Sequence, residues 1–125
     1  MRTLLMIGAL LGFLSVAIGA AADHAGWAEA MAASVATAIR YHQLGAVMIV
    51  LLALVGLKLE DQAVRRGLGL AATLFAIGTL LFSFSIYAAA ISGIRGLTII
   101  TPFGGVTLMA AWLALLVTGF SPDDS

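Results

Sequence analysis

Long segments without a charged residue constrain this chain more than any other feature of its sequence. The first covers residues 3–22, and three more cover residues 41–57, 67–92 and 101–120. A helix needs roughly 20 mostly apolar residues to cross the hydrocarbon core of a bilayer. The four segments therefore predict an all-α integral membrane protein, a four-helix bundle that forms a single transmembrane domain over residues 1–125.

Composition agrees with lipid as the main environment of the chain. Hydrophobic residues make up 62% of the sequence and charged residues 10%, and the mean hydropathy is +1.14. Soluble proteins typically have about 45–50% apolar and about 25% charged residues. Six basic residues balance six acidic residues, so no charge excess points to nucleic acid. The chain has no cysteine, which excludes disulfides, thiolate metal sites and thiol catalysis.

The stretch SVAIGAAADHAGW, residues 15–27, has two incompatible interpretations. As the end of a secretory signal, the small residues Ala20, Ala21 and Ala22 form a cleavage site before Asp23. As the end of a membrane helix, the same residues remain in the protein. A signal core usually has only about 7–15 apolar residues, whereas this segment is uncharged from residue 3 to residue 22. We therefore predict a retained membrane helix.

The distribution of Lys and Arg predicts the orientation of the four spans. The side that holds both termini and the middle loop carries Arg2, Lys58, Arg65 and Arg66. The opposite side carries Arg40 and Arg95. Cytoplasmic loops contain the excess of Lys and Arg in membrane proteins. We therefore predict that both termini lie in the cytoplasm.

The loop after the first span contains a periodic apolar pattern. Trp27, Met31, Val35 and Ile39 recur every four residues, which places them along one helical face. The pattern predicts a short amphipathic interfacial helix between the first and second spans, with Trp27 near the lipid headgroups. This helix either lies on the membrane or continues into the second span. A surface loop with this spacing by chance is the alternative.

Small residues mark the faces through which the helices are expected to pack. In lipid, residues of this size at spacings of three and four let two backbones approach closely. The predicted packing residues are Gly8, Gly12, Ser15, Gly19, Gly104 and Gly105. Contacts inside the bundle are our preferred interpretation, and homodimerisation through the same face is the alternative. Thr101 is the expected N-cap of the fourth helix, with Pro102 as its first residue, and Trp112 is expected to serve packing or interfacial anchoring.

Polar side chains converge at the ends of the spans that are predicted to face outward. On the third helix Thr79, Ser83 and Tyr87 share a face because they are four residues apart, whereas Ser85 points elsewhere. Hydroxyl groups in lipid need hydrogen-bond partners. We hypothesise one network of His24, Tyr87 and Thr101. The candidate outer-leaflet cluster consists of Asp23, His24, Arg40, Tyr41, His42, Ser83, Tyr87, Arg95 and Thr101.

Three motifs resemble a known family. The sequence FAIGTLLFSFSIYAAA, followed by TPFGG and AAWLALL, is similar to the signature of the YgdD-like family of small four-helix membrane proteins. The resemblance extends to GFLSVAIGAAADHA and TAIRY, so it covers nearly the whole chain. It implies that His24 matches the family's first histidine. The family's second histidine falls four residues after the tyrosine, which is Gly45 here, and His42 is the nearest histidine. The resemblance implies a topology and the bacterial inner membrane as the location, and it implies no established activity.

Three classes of function are compatible with these features. The preferred one is a non-enzymatic accessory or interaction subunit of a membrane complex, with a membrane-protein partner or a homo-oligomer as the expected assembly. The second is binding or transport of a small ligand, ion or lipid headgroup at the outer cluster. The third is an enzyme, which no nucleophile, carboxylate pair or phosphate loop favours. Two histidines and Asp23 would form only part of a metal or haem site, so we expect no cofactor.

Overall fold

The computed structural model describes residues 1–122 and shows four long helices. They are α1 (Arg2–Ala22), α2 (Glu29–Lys58), α3 (Gln62–Ser92) and α4 (Thr101–Thr118). A 3₁₀ helix at Arg95–Ile100 leads directly into α4. All regular structure in residues 1–122 is helical. Each helix is long and apolar enough to cross a membrane, α4 together with its 3₁₀ segment, so the predicted fold class is confirmed.

Short connections with ordinary turn chemistry separate the helices. The carboxylate of Asp61 caps α3 by accepting hydrogen bonds from the backbone N–H groups of Ala63 at 2.9 Å and Val64 at 3.2 Å. Such a cap satisfies donors that have no partner inside the first turn of a helix. At the other end of α3, Gly93 has a φ of +73°, a left-handed conformation that glycine adopts without strain. The chain can therefore turn sharply into the 3₁₀ helix.

Helix α2 is longer than the sequence pattern indicated. It runs for 30 residues without interruption, so the predicted amphipathic segment has the second of its two expected forms and continues into the second span. A separate interfacial helix between the first two spans does not occur. No proline interrupts residues 29–58. The apolar residues that recur every four positions before the second span face the interior of the bundle. Val35 is buried in a cluster with Ile86 and Tyr87 of α3. Trp27 precedes the helix and packs against the same cluster.

The two central helices, α2 and α3, contain most of the buried surface. In their most apolar segments, 39% and 50% of the residues are buried, against 17% for α1 and 17% for the segment that contains α4. Helix α1 packs against α2, and α4 packs against α3. The core between them includes Ile49, Phe75 and Leu108. Helices α1 and α4 therefore expose most of their apolar side chains to the surroundings.

A π-helical turn at Leu80–Phe84 interrupts the α-helical geometry of α3. Turns of this kind widen a helix locally and often occur at functional sites. Here the turn faces the start of α4, where a Cβ atom at Gly104 would overlap the backbone of Leu81 and Phe82. The two backbones approach this closely because residue 104 has no side chain. The sequence pattern of α3 did not predict the π turn.

Candidate functional site

The imidazole of His42 is the largest of three polar side chains in residues 1–122 that have no exposed surface, the others being Thr79 and Ser83. Its Nδ1 atom lies 2.9 Å from the hydroxyl oxygen of Tyr87 on α3. Its Nε2 atom lies 2.7 Å from the backbone carbonyl oxygen of Leu11 on α1. One side chain of α2 is therefore hydrogen-bonded to both neighbouring helices.

The two partners of His42 determine which ring nitrogen carries the proton. A backbone carbonyl can only accept a hydrogen bond, so Nε2 must donate to Leu11. In a neutral imidazole the other nitrogen is then an acceptor, and the hydroxyl of Tyr87 donates to Nδ1. Both ring nitrogens have a partner in this arrangement. The neutral histidine needs no water and no external ligand to satisfy its hydrogen bonds.

The site lies deeper than the interfacial position at which the sequence analysis placed His42. Leu11 is near the middle of α1, which covers Arg2–Ala22. At 1.5 Å per residue, either end of α1 is about 15 Å along the helix from that level. The placement of His42 at the outer interface is therefore wrong: its ring lies near the middle of the bundle. The charge-free segment began at residue 41, but α2 starts a further three turns earlier, at Glu29.

A second buried hydrogen bond joins α2 to α3 beside the histidine. The hydroxyl of Ser83 donates to the backbone carbonyl of Ala38 over 2.7 Å, and both residues are buried. The ring of Phe84 covers the histidine, with centroid distances of 5.2 Å to His42 and 5.3 Å to Tyr87. Aromatic rings therefore shield the polar atoms from lipid.

The hydroxyls of Ser85 and Thr101 form a separate pair between α3 and α4. Their oxygens are 2.6 Å apart, and Ser85 also donates to the carbonyl of Phe82 at 2.9 Å. Because Ser85 has one hydroxyl proton, Thr101 must donate to Ser85. The prediction that Thr101 caps α4 is wrong, since the 3₁₀ helix continues into α4 and the threonine makes no cap bond. Pro102 lies in the first turn, as expected.

The other residues of the predicted outer-leaflet cluster lie on the surface. Asp23 and His24 are in the exposed turn after α1, and Arg40, Tyr41 and Arg95 are exposed elsewhere. The predicted network of His24, Tyr87 and Thr101 is wrong, because His42 bonds Tyr87 and Ser85 bonds Thr101. The cluster therefore divides into an exposed group and a buried group.

The predicted packing residues differ in how closely they meet a neighbour. A Cβ atom at Gly8 would come within 2.8–3.0 Å of Ile49 and Val50. A Cβ atom at Gly104 would lie even closer to the backbone of Leu81 and Phe82. Gly12 and Gly105 have only ordinary contacts, and Gly19 has nothing within 4 Å. The hydroxyl of Ser15 donates to the carbonyl of Gly12 at 2.6 Å, within α1. Close approach therefore occurs at two of these positions.

The sequence analysis missed a close contact between Gly45 and Thr79. A Cβ atom at Gly45 would overlap the hydroxyl oxygen of Thr79, so a larger residue would require the Thr79 side chain to move. That hydroxyl is fully buried and has no hydrogen-bond partner among residues 1–122. The resemblance had already singled out Gly45 as the place of the family's second histidine. Thr79 was recognised as polar, but its depth depends on the packing of α2 and could not be read from its spacing.

A groove with a volume of about 250 Å³ opens between α2, α3 and α4. Its walls include Tyr41, Phe75, Phe82, Met109 and Trp112. The ring of Trp112 meets Phe75 edge-on, with a centroid distance of 5.0 Å, and remains 45% exposed. Within residues 1–122, no group of three or more His, Asp or Glu side chains is placed to hold a metal ion.

Sequence comparisons place the chain among membrane proteins whose activity is unknown. UPF0382 inner membrane protein YgdD of Escherichia coli strain K12 is 32% identical, over 93% of this chain and 88% of that protein. A UPF0382 membrane protein of Haemophilus influenzae is 34% identical, over 93% of this chain and 92% of that protein. A UPF0382 membrane protein of Staphylococcus haemolyticus is 28% identical, over 96% of this chain and 97% of that protein. No solved structure matches the chain.

The family comparison gives the same assignment. The family model described as "Protein of unknown function (DUF423)" matches residues 18–105, which include α2, α3 and the start of α4. The matched part therefore contains the histidine, the tyrosine and the π turn. Together with the relatives that match along nearly the whole chain, it shows that this protein is a membrane protein of the DUF423 family.

Proposed function

We propose that this protein is a non-enzymatic accessory or interaction subunit of a bacterial inner-membrane complex. The observation that carries the proposal is the internal pairing of His42 with Leu11 and Tyr87. A group available for catalysis or transport needs an open bonding position, whereas here both ring nitrogens hold neighbouring helices together. The hydrogen-bonded side chains of His42, Tyr87 and Ser83 thus serve to define the shape of the bundle.

The outer surface of the bundle supports the same proposal. A Cβ atom added at Gly12, Gly19 or Gly105 of α1 and α4 would come no closer than 3.7 Å to any neighbour inside the bundle. Transmembrane helices associate through small residues of this kind, because these let two backbones approach closely. The groove beside Trp112 and Met109 is a site where an apolar side chain of a partner helix would fit. We take the partner to be another membrane protein that presents such a helix.

Binding of a ligand or lipid headgroup is the second function considered. It needs Asp23, His24, Arg40 and Arg95 to act together with the buried hydroxyls. The exposed and buried groups are separate, and Ser83 and Tyr87 already have protein partners. The structure therefore supports this function less than the accessory role.

Crosslinking from the groove tests the accessory role. A photoreactive amino acid replaces Met109, which is 66% exposed in the groove, and a matched control replaces Met6, which is 71% exposed on α1. In cells with natural abundance of the protein, we expect position 109 to give one stoichiometric crosslink to another membrane protein and position 6 to give much less. Equal, diffuse labelling from both positions would refute the proposal.

The orientation is also a proposal. From the distribution of Lys and Arg, both termini lie in the cytoplasm and the loops at 23–28 and 93–100 lie outside. Because the chain has no cysteine of its own, Trp27→Cys and Gln62→Cys give single labelling sites. We expect an impermeant thiol reagent to label residue 27 from outside and to leave residue 62 unlabelled. The reverse pattern, or a mature N-terminus at Asp23, would contradict the topology.

A further inference from the structure

The side chain next to the buried histidine in sequence has the opposite environment. Gln43 is exposed and lines an open groove between α1 and α2 together with Gly8, Gly12 and Ala46. Gly12 is the central residue of α1, which extends from Arg2 to Ala22. The amide of Gln43 therefore lies near mid-membrane depth on a surface that faces lipid. Lipid tails offer an amide no hydrogen bonds, so such a group favours a protein partner.

The residues that follow Gln43 form a seam of the kind found in paired helices. Gln43, Val47 and Leu54 are separated by four and seven residues, which fits the a and d positions of a coiled coil. Val50, at the position between Val47 and Leu54 in this pattern, packs against Gly8 of α1. Val47 is 62% exposed and Leu54 is 49% exposed. A single polar residue in such a seam specifies the register and the number of helices. The seam and the amide therefore point to one face of α2.

A second copy of this chain fits that face better than an unrelated helix or a lipid. Copies inserted in the same orientation are related by a two-fold axis along the membrane normal, so α2 runs parallel to its mate. Each residue of the seam then meets the same residue of the other copy at the same depth. An amide is both a donor and an acceptor, so two Gln43 side chains satisfy each other. The small residues of the groove let the helices approach.

We infer that the protein forms a parallel homodimer through α2, with the Gln43 amides of the two copies hydrogen-bonded to each other near the middle of the membrane. This inference goes beyond the accessory role, which concerns a different protein at the Trp112 groove on the other side of α2. The two assemblies use separate surfaces, so either one can fail without the other.

Single cysteines test the homodimer, since the natural chain has none. Val47→Cys is placed in the seam, and Val106→Cys on α4 is the matched control because Val106 is 65% exposed and lies away from α2. Under mild oxidation in native membranes, we expect Val47→Cys to form a product of twice the chain mass, and Val106→Cys to form little. Equal yields from both would overturn the homodimer. A product of a different mass from Val47→Cys would assign the face to another protein and would also overturn it.

A second variant tests the role of the amide. Gln43→Leu keeps an exposed side chain of similar size and removes the hydrogen bonds. Because two interhelical hydrogen bonds are lost, we expect the dimer association constant of the purified protein in detergent to fall about sevenfold. Its helical content and unfolding temperature at monomeric dilution should not change. An unchanged association constant would refute the pairing of the amides, even if the seam itself dimerises.

Discussion

The contacts that hold α2 and the contacts that hold α4 are made in different ways. Around α2, side chains make hydrogen bonds to other helices: His42 to α1 and α3, and Ser83 of α3 to the backbone of Ala38. Along α4, close contacts occur at Gly104, Gly67 and Gly78, where a Cβ atom would overlap the neighbouring helix. A side chain can rotate to keep a hydrogen bond when a neighbour changes. Two backbones in contact cannot move apart to make room for a larger side chain without shifting a whole helix. The α4 interface should therefore tolerate substitution least.

Gly104→Ala should have the largest effect. The three atoms nearest to the new methyl group all belong to the backbone of Leu81 and Phe82, so no side chain can move aside. Overpacking of this kind costs about 1–3 kcal/mol, and we expect the upper end of that range in the free energy of unfolding. The measurement is denaturant unfolding in mild detergent.

The control for this prediction is Gly19→Ala. It lies in a helix like Gly104 but has no atom within 4 Å of the added methyl group. Alanine favours a helix over glycine by up to about 1 kcal/mol, so this variant should be as stable as the natural protein or slightly more so. Equal losses in both variants would mean that the close approach of α4 to the π turn does not limit stability.

The His42–Tyr87 pair should give the next largest effect. Tyr87→Phe leaves Nδ1 of His42 without its donor, which costs about 1–3 kcal/mol if nothing replaces the bond. Interhelical bonds in membranes average about 0.6 kcal/mol with a maximum of about 1.7 kcal/mol. We expect a double-mutant cycle of His42→Ala and Tyr87→Phe to show coupling within that range. The measured quantity is the free energy of unfolding of the four proteins of the cycle.

Tyr41 supplies the matched control for that cycle. It is the sequence neighbour of His42, but its ring contacts Phe82 and it is 41% exposed. Tyr41→Phe and His42→Ala should therefore be additive. If the Tyr87 cycle is additive as well, the hydrogen bond to Nδ1 contributes nothing to folding.

The number and type of the helices could be predicted because lipid imposes a simple condition. Every backbone polar group must be satisfied within its own helix, so a charge-free segment of sufficient length becomes a helix. The four predicted spans correspond to α1–α4 for this reason. The start of α2 could not be predicted in the same way. Arg40 marked the N-terminal limit of the apolar segment, but an exposed arginine does not stop a helix from extending beyond it.

The pairing of polar residues could not be derived from sequence, because it depends on how the helices are offset. The sequence identified His42, Tyr87 and Ser83 as polar groups on two helices. The sequence analysis paired Tyr87 with His24 as hydrogen-bond partners, because both were expected to lie at the same membrane surface. In the structure, the offset of α1 against α2 brings Leu11 to His42. The π turn at Leu80–Phe84 also departs from α-helical geometry, and no residue type in the sequence predicts it.

Ser85→Ala and Thr101→Val test the hydroxyl pair between α3 and α4. Thr101 donates to Ser85 over 2.6 Å in a partly buried site. We expect each substitution to lower the free energy of unfolding by about 0.6 kcal/mol, the average for such bonds in a membrane, and the double variant to lose less than the sum. Thr107→Val is the control, because the hydroxyl of Thr107 donates to the carbonyl of Phe103 in its own helix. A loss at Thr107 as large as at Thr101 would contradict a specific contribution of the pair.

His24→Ala should have the smallest effect of all. The sequence placed this residue in the same network as Tyr87, but it lies in the exposed turn after α1, where its backbone N–H bonds Ala21 and its side chain faces the surroundings. Surface substitutions usually change stability by less than about 0.5 kcal/mol. A cycle of His24→Ala with Tyr87→Phe should therefore be additive, in contrast to the same cycle with His42→Ala. Coupling of His24 to Tyr87 would require the turn to fold back over the end of α3, and it would restore the outer-leaflet cluster as a binding site.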